Sequence, residues 1–189
     1  MKRKFPFTFY ALPYKMKFMS LLKIVHYPQE VLLKVGKPVE IFDEKIEKLV
    51  SDMFETMYAA QGVGLAAPQV GESQRLFVMD CSGGEDVSRK FALVNPEIIT
   101  QEGEQIGDEG CLSFPGVYTK VKREIRTVVR FQNIKGEFNE LDVTDLEARC
   151  VLHETDHCDG IVFLDRMTTL KRELAKRKIK KLQKTGKWE

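Results

Sequence analysis

The chain lacks a long hydrophobic run. Its longest segment without a charged residue covers residues 56–71, and these 16 residues include three glycines and one proline. Such a segment cannot form the helix of about 20 apolar residues that crosses a membrane, so we expect no membrane association. With 43% hydrophobic and 31% charged residues, the composition also excludes a coiled coil, a collagen and a disordered chain. A length of 189 residues predicts a single domain with its own core.

Cysteine is also scarce. The four cysteines are Cys81, Cys111, Cys150 and Cys158. Disulfides between them would require secretion, but the basic residues 2–4 are followed by an apolar stretch that Pro6 and Pro13 interrupt. No small-residue cleavage site follows it. We therefore expect free thiols and a cytoplasmic location.

The net charge of +2 conceals an uneven distribution. Residues 1–18 carry five basic residues and no acidic one, and residues 171–189 carry nine basic and two acidic ones. The remaining residues, 19–170, carry 16 basic and 26 acidic residues, a net charge of −10. Because a nucleic-acid-binding domain concentrates positive charge on its body, we expect no specific DNA binding. The basic C-terminal end is suited to contacts with polyphosphate.

Three segments have helical patterns. An apolar stripe predicts a first helix over residues 44–60. A second helix is predicted to begin near Thr144, where Thr144 and Glu147 match a capping box, and to end by Gly160. A basic third helix is expected over about residues 169–184, with a sparse apolar stripe that would pack on the body.

Strand-like runs lie mainly between the first two helices. They cover residues 75–80, 91–94, 98–100, 117–121, 125–132 and 137–143, with a hairpin loop at 133–136. This order predicts an α+β fold of antiparallel sheets packed around the second helix, with a C-terminal helix. We expect residues 19–189 to form this one domain and residues 1–18 to be an N-terminal extension.

The predicted second helix carries an H-E-x-x-H sequence at residues 153–157. At 3.6 residues per turn, His153 and His157 lie on one face of the helix. Two imidazoles there can converge on one metal ion, with Glu154 beside its open side. Because the chain has three histidines in all, chance is a weak explanation for this spacing. The pattern predicts that the central helix binds a metal.

A catalytic site of this kind needs three protein ligands and a water. The other histidine is His26, so the third ligand is expected to be a cysteine or a carboxylate. Cys150 is displaced from His157 by about 10 Å along the helix, and Cys158 points about 100° away around it. The remaining thiols are Cys81 and Cys111, and the segment around Cys111 is rich in glycine.

Three motifs together give the chain a family resemblance. They are GVGLAAPQ at residues 62–69, EGCLS at residues 109–113 and HETDH at residues 153–157. They match the motifs G-x-G-x-A-A-x-Q, E-G-C-L-S and H-E-x-D-H in full and in order, so the chain resembles a peptide deformylase over about residues 20–184. Thr155 and Cys158 stand where family members commonly have other residues, and neither is at a ligand position.

The resemblance implies metal-dependent hydrolysis of the formyl group of N-formylmethionyl peptides, with release of formate. The implied metal ligands are Cys111, His153 and His157. The implied native ion is Fe²⁺, one per subunit, and Zn²⁺, Ni²⁺ or Co²⁺ would be able to occupy the same site.

Roles for further residues follow from the same resemblance. Glu154 would accept a proton from the attacking water and deliver it to the departing amine. The Gln69 side-chain amide and the Leu112 backbone N–H would stabilise the oxyanion. Gly64 would offer backbone hydrogen bonds to an extended substrate. The methionine side chain would enter an apolar pocket lined by Val63, Leu146 and Cys150.

The implied partners are nascent N-formylmethionyl peptides and, through the basic C-terminal helix, the ribosome. Two other classes of function remain as alternatives. A zinc endopeptidase shares H-E-x-x-H but requires a downstream His or Glu ligand, for which the chain offers Glu173 and Glu189. A protein without catalysis is the other class. An RNA-binding module that has lost its activity would have a damaged ligand set, whereas the set here is intact, and a regulatory or structural protein with an idle metal is distinguished by an activity assay.

Overall fold

The computed structural model describes residues 21–186 and residue 188. The predicted N-terminal extension, residues 1–18, lies outside these residues. The described part contains three α-helices, which are α1 (Glu44–Ala59), α2 (Asp145–Cys158) and α3 (Thr169–Lys184). It contains seven strands, which are β1 (Gly64–Ala66), β2 (Leu76–Asp80), β3 (Lys90–Glu102), β4 (Gln105–Gly110), β5 (Tyr118–Arg123), β6 (Arg126–Gln132) and β7 (Phe138–Thr144).

The strands form two antiparallel sheets. A five-stranded sheet has the order β1-β2-β3-β6-β7, and β4 pairs with β5 in a separate two-stranded sheet. Within the described residues, β1 pairs with β2 alone and is therefore an edge strand. Because α2 contacts β1, β2, β6 and β7, it is the central helix. The predicted α+β fold is confirmed.

The strand predictions differ from the structure in three places. The runs predicted at 91–94 and 98–100 belong to one strand, β3, whose register with β6 shifts between Val94 and Glu97. β1 and β4 were missed. β1 has only three residues, and β4 is too rich in glycine and acidic residues to show an apolar alternation. The hairpin at 133–136 is confirmed, with Gly136 at φ +82°.

Helix α1 closes one side of the five-stranded sheet. Its first turn is capped by Asp43, whose carboxylate accepts hydrogen bonds from the backbone N–H groups of Lys45 and Ile46. The predicted apolar stripe is buried, with Met53 and Met57 fully inaccessible. The role expected for this helix, core packing, is confirmed.

Helix α2 begins after Thr144 as predicted, but the capping box does not form. The Thr144 hydroxyl donates to the carboxylate of Asp145, and its side chain caps no helical N–H. The predicted end is confirmed, because Gly160 adopts φ +70° just beyond the helix. All side chains from Ala148 to Cys158 are buried.

Helix α3 has the predicted bounds and packs by the C-terminal part of its predicted stripe. Ile179 is 2% exposed, whereas Leu170 and Leu174 are 72% and 55% exposed. Beyond the helix, Trp188 is buried against Phe114 and donates its indole N–H to the backbone oxygen of Tyr27 at 2.7 Å. The C-terminal segment therefore contributes to the core as well as to the basic surface.

Two further observations concern membrane-spanning helices and the thiols. Within residues 21–186 and residue 188, no helix is both long enough and apolar enough to span a bilayer. All four cysteines are free thiols, as expected from the sequence.

Candidate metal centre

The two histidines of α2 meet a cysteine from another part of the chain. Cys111 follows β4, and its Sγ lies 3.2 Å from Nε2 of His157. The donor atoms of Cys111, His153 and His157 all lie within 4.8 Å of one another. Of the two thiols that spacing left open, Cys111 is therefore the one beside the histidines. Cys81, at the end of β2, contacts Cys150 instead.

The ring of His153 is oriented by Glu109, the residue two before Cys111. Its Nδ1 lies 3.0 Å from Oε2 of Glu109. Because an ionised carboxylate only accepts hydrogen bonds, Nδ1 carries the proton and the lone pair of Nε2 is left for a metal. Burial raises the pKa of Glu109, but hydrogen bonds from His153 and Arg123 outweigh it and hold that pKa well below its usual range. The carboxylate is therefore ionised.

Two arginines complete the surroundings of Glu109. Arg123 donates from Nε and Nη2 to the two carboxylate oxygens, at 2.8 and 3.0 Å. Arg149 donates from Nη1 to Oε1 at 2.7 Å. Sequence reasoning missed all three residues. The EGCLS motif contains Glu109, and Arg149 lies one turn before His153 on the cleft side of α2. Both residues could therefore have been recognised from the sequence as neighbours of the site.

Glu154 faces the same centre. It is 4% exposed, and its Oε2 has no hydrogen-bond partner within the described part of the chain. Burial raises the pKa of Glu154 to about 7. A buried carboxylate without a full set of partners is suited to exchanging a proton near neutral pH.

Gln69 is held at the opposite side of the centre. The short 3₁₀ helix Ala67–Val70 follows β1 directly, and Gln69 Oε1 accepts a hydrogen bond from the Ala66 backbone N–H at 2.8 Å. This contact directs Nε2 toward Cys111, whose Sγ lies 3.4 Å away. The second N–H of the amide is available to another acceptor.

A cleft with a volume of about 480 Å³ opens over these residues. It brings together the residues predicted to bind substrate, which are Val63, Gly64, Leu146 and Cys150, with Leu112 and Glu154. Arg149 also lines it, so its wall is less apolar than expected. The guanidinium fits because Gly107 has no side chain: a Cβ there would lie 3.0 Å from Nη2.

The donor set fits a divalent transition-metal ion. One thiolate and two imidazoles are ligands of the kind that zinc, iron and nickel accept, and three protein ligands leave a position open for water. The orphaned Oε2 of Glu154 lies in the same buried cleft. By contrast, Glu173, a possible ligand in the endopeptidase alternative, is exposed on α3 and pairs with Lys176 at 3.5 Å. Glu189 lies outside the described residues.

Two imidazoles and a buried carboxylate on one helix, with a thiol from another segment beside them, are typical of a metallohydrolase. The model of the polypeptide deformylase family matches residues 21–173 of this chain. A peptide deformylase from Acidobacterium capsulatum is 48% identical over 170 residues, which cover 90% of this chain and 100% of that protein. One from Neisseria gonorrhoeae is 50% identical over 166 residues, 88% of this chain and 98% of that protein.

Comparison with solved structures agrees with these sequence matches. A crystal structure of a peptide deformylase from Legionella pneumophila superposes with a TM-score of 0.83 and 44% sequence identity, covering 88% of this chain and 98% of that one. The chain belongs to the polypeptide deformylase family. Enzymes of this family are metal-dependent hydrolases that remove the N-formyl group from nascent polypeptides, and this is the reaction of this chain.

Gly64→Ala tests how closely the strand edge approaches Glu154. The new Cβ would lie 2.5 Å from Oε1 of Glu154 and 2.7 Å from Sγ of Cys150. Because the carboxylate must move, we expect kcat/KM to fall about 100-fold, the cost of a displacement of about 1 Å at a reacting group. Formate release from formyl-Met-Ala-Ser measures the loss. The control Gly62→Ala, whose Cβ meets the flexible end of Leu112 at 2.9 Å, should lose much less. Equal losses would contradict the explanation.

Proposed function

We propose that this chain hydrolyses the formamide bond of N-formylmethionyl peptides with Cys111, His153 and His157 as the ligands of a divalent metal ion. One observation carries the proposal. Three donor atoms of the right chemistry lie within 4.8 Å of one another, beside a buried carboxylate and in a cleft bordered by the strand that ends the main sheet.

The family resemblance supports Fe²⁺ as the native ion, with zinc, nickel or cobalt able to replace it. When bound, the ion polarises the formyl carbonyl and lowers the pKa of a water molecule toward neutrality. Among the three proposed ligands, the Cys111 thiolate donates more charge than an imidazole or a carboxylate would. Glu109 supports the set by holding the His153 ring in one tautomer.

Glu154 is the proton carrier in this proposal. Its carboxylate takes a proton from the attacking water and later delivers it to the amine nitrogen that leaves. The free Oε2 atom and the nearly complete burial of the side chain support this role. Since Glu154 is adjacent to a ligand but is not itself a ligand, the proton transfer does not disturb the ligand set.

Gln69 and Leu112 are the proposed donors to the oxyanion that develops on the formyl oxygen. The Gln69 amide is held rigidly by the Ala66 N–H, which supports a preorganised donor. The Leu112 N–H belongs to the residue that follows Cys111 and lines the cleft. Removing one such donor typically costs about 3 kcal/mol of transition-state stabilisation.

The peptide is proposed to bind as an added strand along β1. An edge strand has free N–H and C=O groups on its outer side, and an extended peptide can pair with them. Gly64 suits this role because any side chain there would collide with Glu154. The methionine side chain then enters the pocket between Val63, Leu146 and Cys150, of which Val63 and Leu146 are 39% and 51% exposed.

Nascent chains are formylated at their N-terminus, so we place the enzyme in the cytoplasm and its substrate at the ribosome. Helix α3 is the proposed ribosome contact. Four basic side chains on it make no hydrogen bond or ion pair with other described residues: they are Arg177, Lys180, Lys181 and Lys184. Unpaired cations on one exposed helix are suited to RNA phosphates.

Glu154→Gln should retain the metal ion and lose at least about 100-fold in kcat, because general acid–base catalysis contributes about 10²–10⁴-fold. Metal analysis and formate release from formyl-Met-Ala-Ser measure the two effects. Glu147→Gln, at the other glutamate of α2, is the matched control and should keep its kcat. A Glu154→Gln enzyme with more than about a tenth of the original kcat would show that the proton role is wrong.

Cys111→Ser should weaken metal binding by more than about 100-fold, beyond the 10- to 100-fold effect of losing an outer-sphere partner. A hydroxyl replaces a thiolate ligand in this variant. Competition with a chelator measures the affinity, and Cys158→Ser provides the control, since that thiol is fully buried away from the cleft. Equal affinities would remove Cys111 from the ligand set.

Metal analysis of the unmodified protein after anaerobic purification should find iron.

Replacing the four unpaired basic residues of α3 by Gln should reduce co-sedimentation with ribosomes at low salt and make it less salt-dependent. Formyl-Met-Ala-Ser turnover should not change. Truncation of α3 is a poorer test because it would remove the buried Ile179. The charge-matched control replaces four exposed lysines elsewhere on the body, which are Lys23, Lys37, Lys45 and Lys135. If both variants co-sediment equally, the docking proposal is wrong.

A further inference from the structure

Two thiols lie together on the face of the main sheet that α2 covers. Gly64 pairs with Met79 across β1 and β2, and the Cβ position of Gly64 points at Sγ of Cys150. Side chains alternate along a strand, so Cys81, two residues beyond Met79, emerges on the same face. Cys81 packs against the apolar cluster that contains Cys150, and the two thiols lie close enough to shift each other's pKa.

The carbonyl oxygen of Val63 contacts Cys150 and the residue that precedes Cys81. The Cys150 Sγ lies 3.5 Å from this oxygen. The backbone N–H of Asp80, the residue bonded to Cys81, donates to it at 2.9 Å. A change in the position of the Cys150 sulfur therefore acts directly on the Val63–Gly64 edge.

We propose that Cys81 and Cys150 form an oxidative modification site, at which a hydroperoxide converts the two thiols into a disulfide that changes the shape of the methionine pocket. The proposal rests on the proposed function for the role of that pocket. It concerns a pair of thiols separate from Cys111, whose sulfur lies beside His157 and Gln69.

The chemistry proceeds in two balanced steps. The Cys81 thiolate attacks the terminal oxygen of the hydroperoxide, the O–O bond breaks, and a sulfenic acid and an alcohol (water, from hydrogen peroxide) are formed after one proton is taken up. The Cys150 thiol then attacks the Cys81 sulfur, which forms the S–S bond and releases one water. Two thiols lose two electrons in total, and the peroxide gains them.

The order of attack follows from exposure. Cys81 is half-buried and reachable from solvent, whereas Cys150 is 4% exposed. The hydrogen bond with Cys150 lowers the pKa of the Cys81 thiol, and the nearby Arg89 acts in the same direction. A partly exposed thiol with a resolving cysteine in contact is the arrangement found at redox-sensitive sites. Cys158, which is fully buried, should stay unreacted.

The consequence is expected in substrate binding. Once bonded to Cys81, the Cys150 sulfur is drawn away from the Val63 oxygen, and the pocket wall changes by about the size of a methylene group. Such a change in a hydrophobic pocket alters kcat/KM by about tenfold. We expect the effect mainly in KM, because Glu154 and the three proposed ligands are not part of the bridge.

The test treats nickel-loaded enzyme with hydrogen peroxide and compares the unmodified protein with Cys81→Ser, Cys81→Ala and Cys158→Ser. Peptide mapping by mass spectrometry should find a Cys81–Cys150 cross-link in the unmodified protein and in Cys158→Ser, and in neither Cys81 variant. KM for formyl-Met-Ala-Ser should rise about tenfold with the cross-link and return after reduction by a dithiol. Both Cys81 variants should keep their KM through the treatment.

Three results would overturn the proposal. The first is a map in which Cys81 and Cys150 remain separate thiols after peroxide treatment. The second is a cross-link that leaves KM unchanged. The third is an equal rise in KM in the Cys81 variants, which would assign the damage to another residue. All three are compatible with full deformylase activity of the reduced enzyme, so failure here is distinguishable from failure of the proposed function.

Discussion

The buried carboxylate of Glu109 is the interaction on which the rest of the site depends. A charge of this kind is tolerated in a protein interior only when it is paired and hydrogen-bonded. Its partners Arg123 and Arg149 belong to β5 and α2, and Glu109 itself belongs to β4. One carboxylate therefore joins the two-stranded sheet to the central helix. Without it, Arg149 would lose its carboxylate partner, Arg123 would keep Asp156 alone as a carboxylate partner, and His153 would lose the acceptor that holds its ring.

The same ion network continues along α2. Arg123 also donates from Nη1 to Asp156 at 2.6 Å, and Asp156 accepts a further hydrogen bond from Arg166 Nε at 3.0 Å. Within HETDH, the residues therefore divide into two groups by direction. His153, Glu154 and His157 face the candidate metal centre, while Asp156 faces the ion network on another side of the helix. This division lets a single helix be almost completely buried and still present three polar side chains to one cleft.

The side of the cleft formed by β1 depends on the strand edge that the fold leaves unpaired among the described residues. A free strand edge is a liability that proteins usually cover or shorten, and β1 is both short and placed inside a cleft. Across from it, the segment that follows Cys111 is supported by the C-terminal part of the chain. Phe114 packs against Phe163 and Trp188, with ring centroids 5.0 and 6.2 Å apart. The core beneath α3 thus helps to hold the loop that carries the thiol.

Helix α3 and the H-E-x-x-H sequence show how much the sequence by itself determined. The bounds of α3 and the shared face of His153 and His157 depend on periodicity within a few turns, and this information is local. The end of α2 at Gly160 is equally local. The assignment of Cys111 required more, because helix spacing left both Cys81 and Cys111 open; the glycine-rich surroundings favoured Cys111, and the three motifs together implied it as the ligand.

Tertiary structure alone decided the features that join distant segments. β1 and β4 have no strand pattern of their own, and their strand conformation comes from hydrogen bonds to β2 and β5. The capping box at Thr144 was a valid local pattern, yet the Thr144 hydroxyl bonds Asp145 instead. Tertiary structure also determines that Arg149 lines the cleft and that Cys81 packs near Cys150. The physical reason is that the free energy of a buried charge or thiol is set by its neighbours, and these come from segments that the sequence keeps far apart.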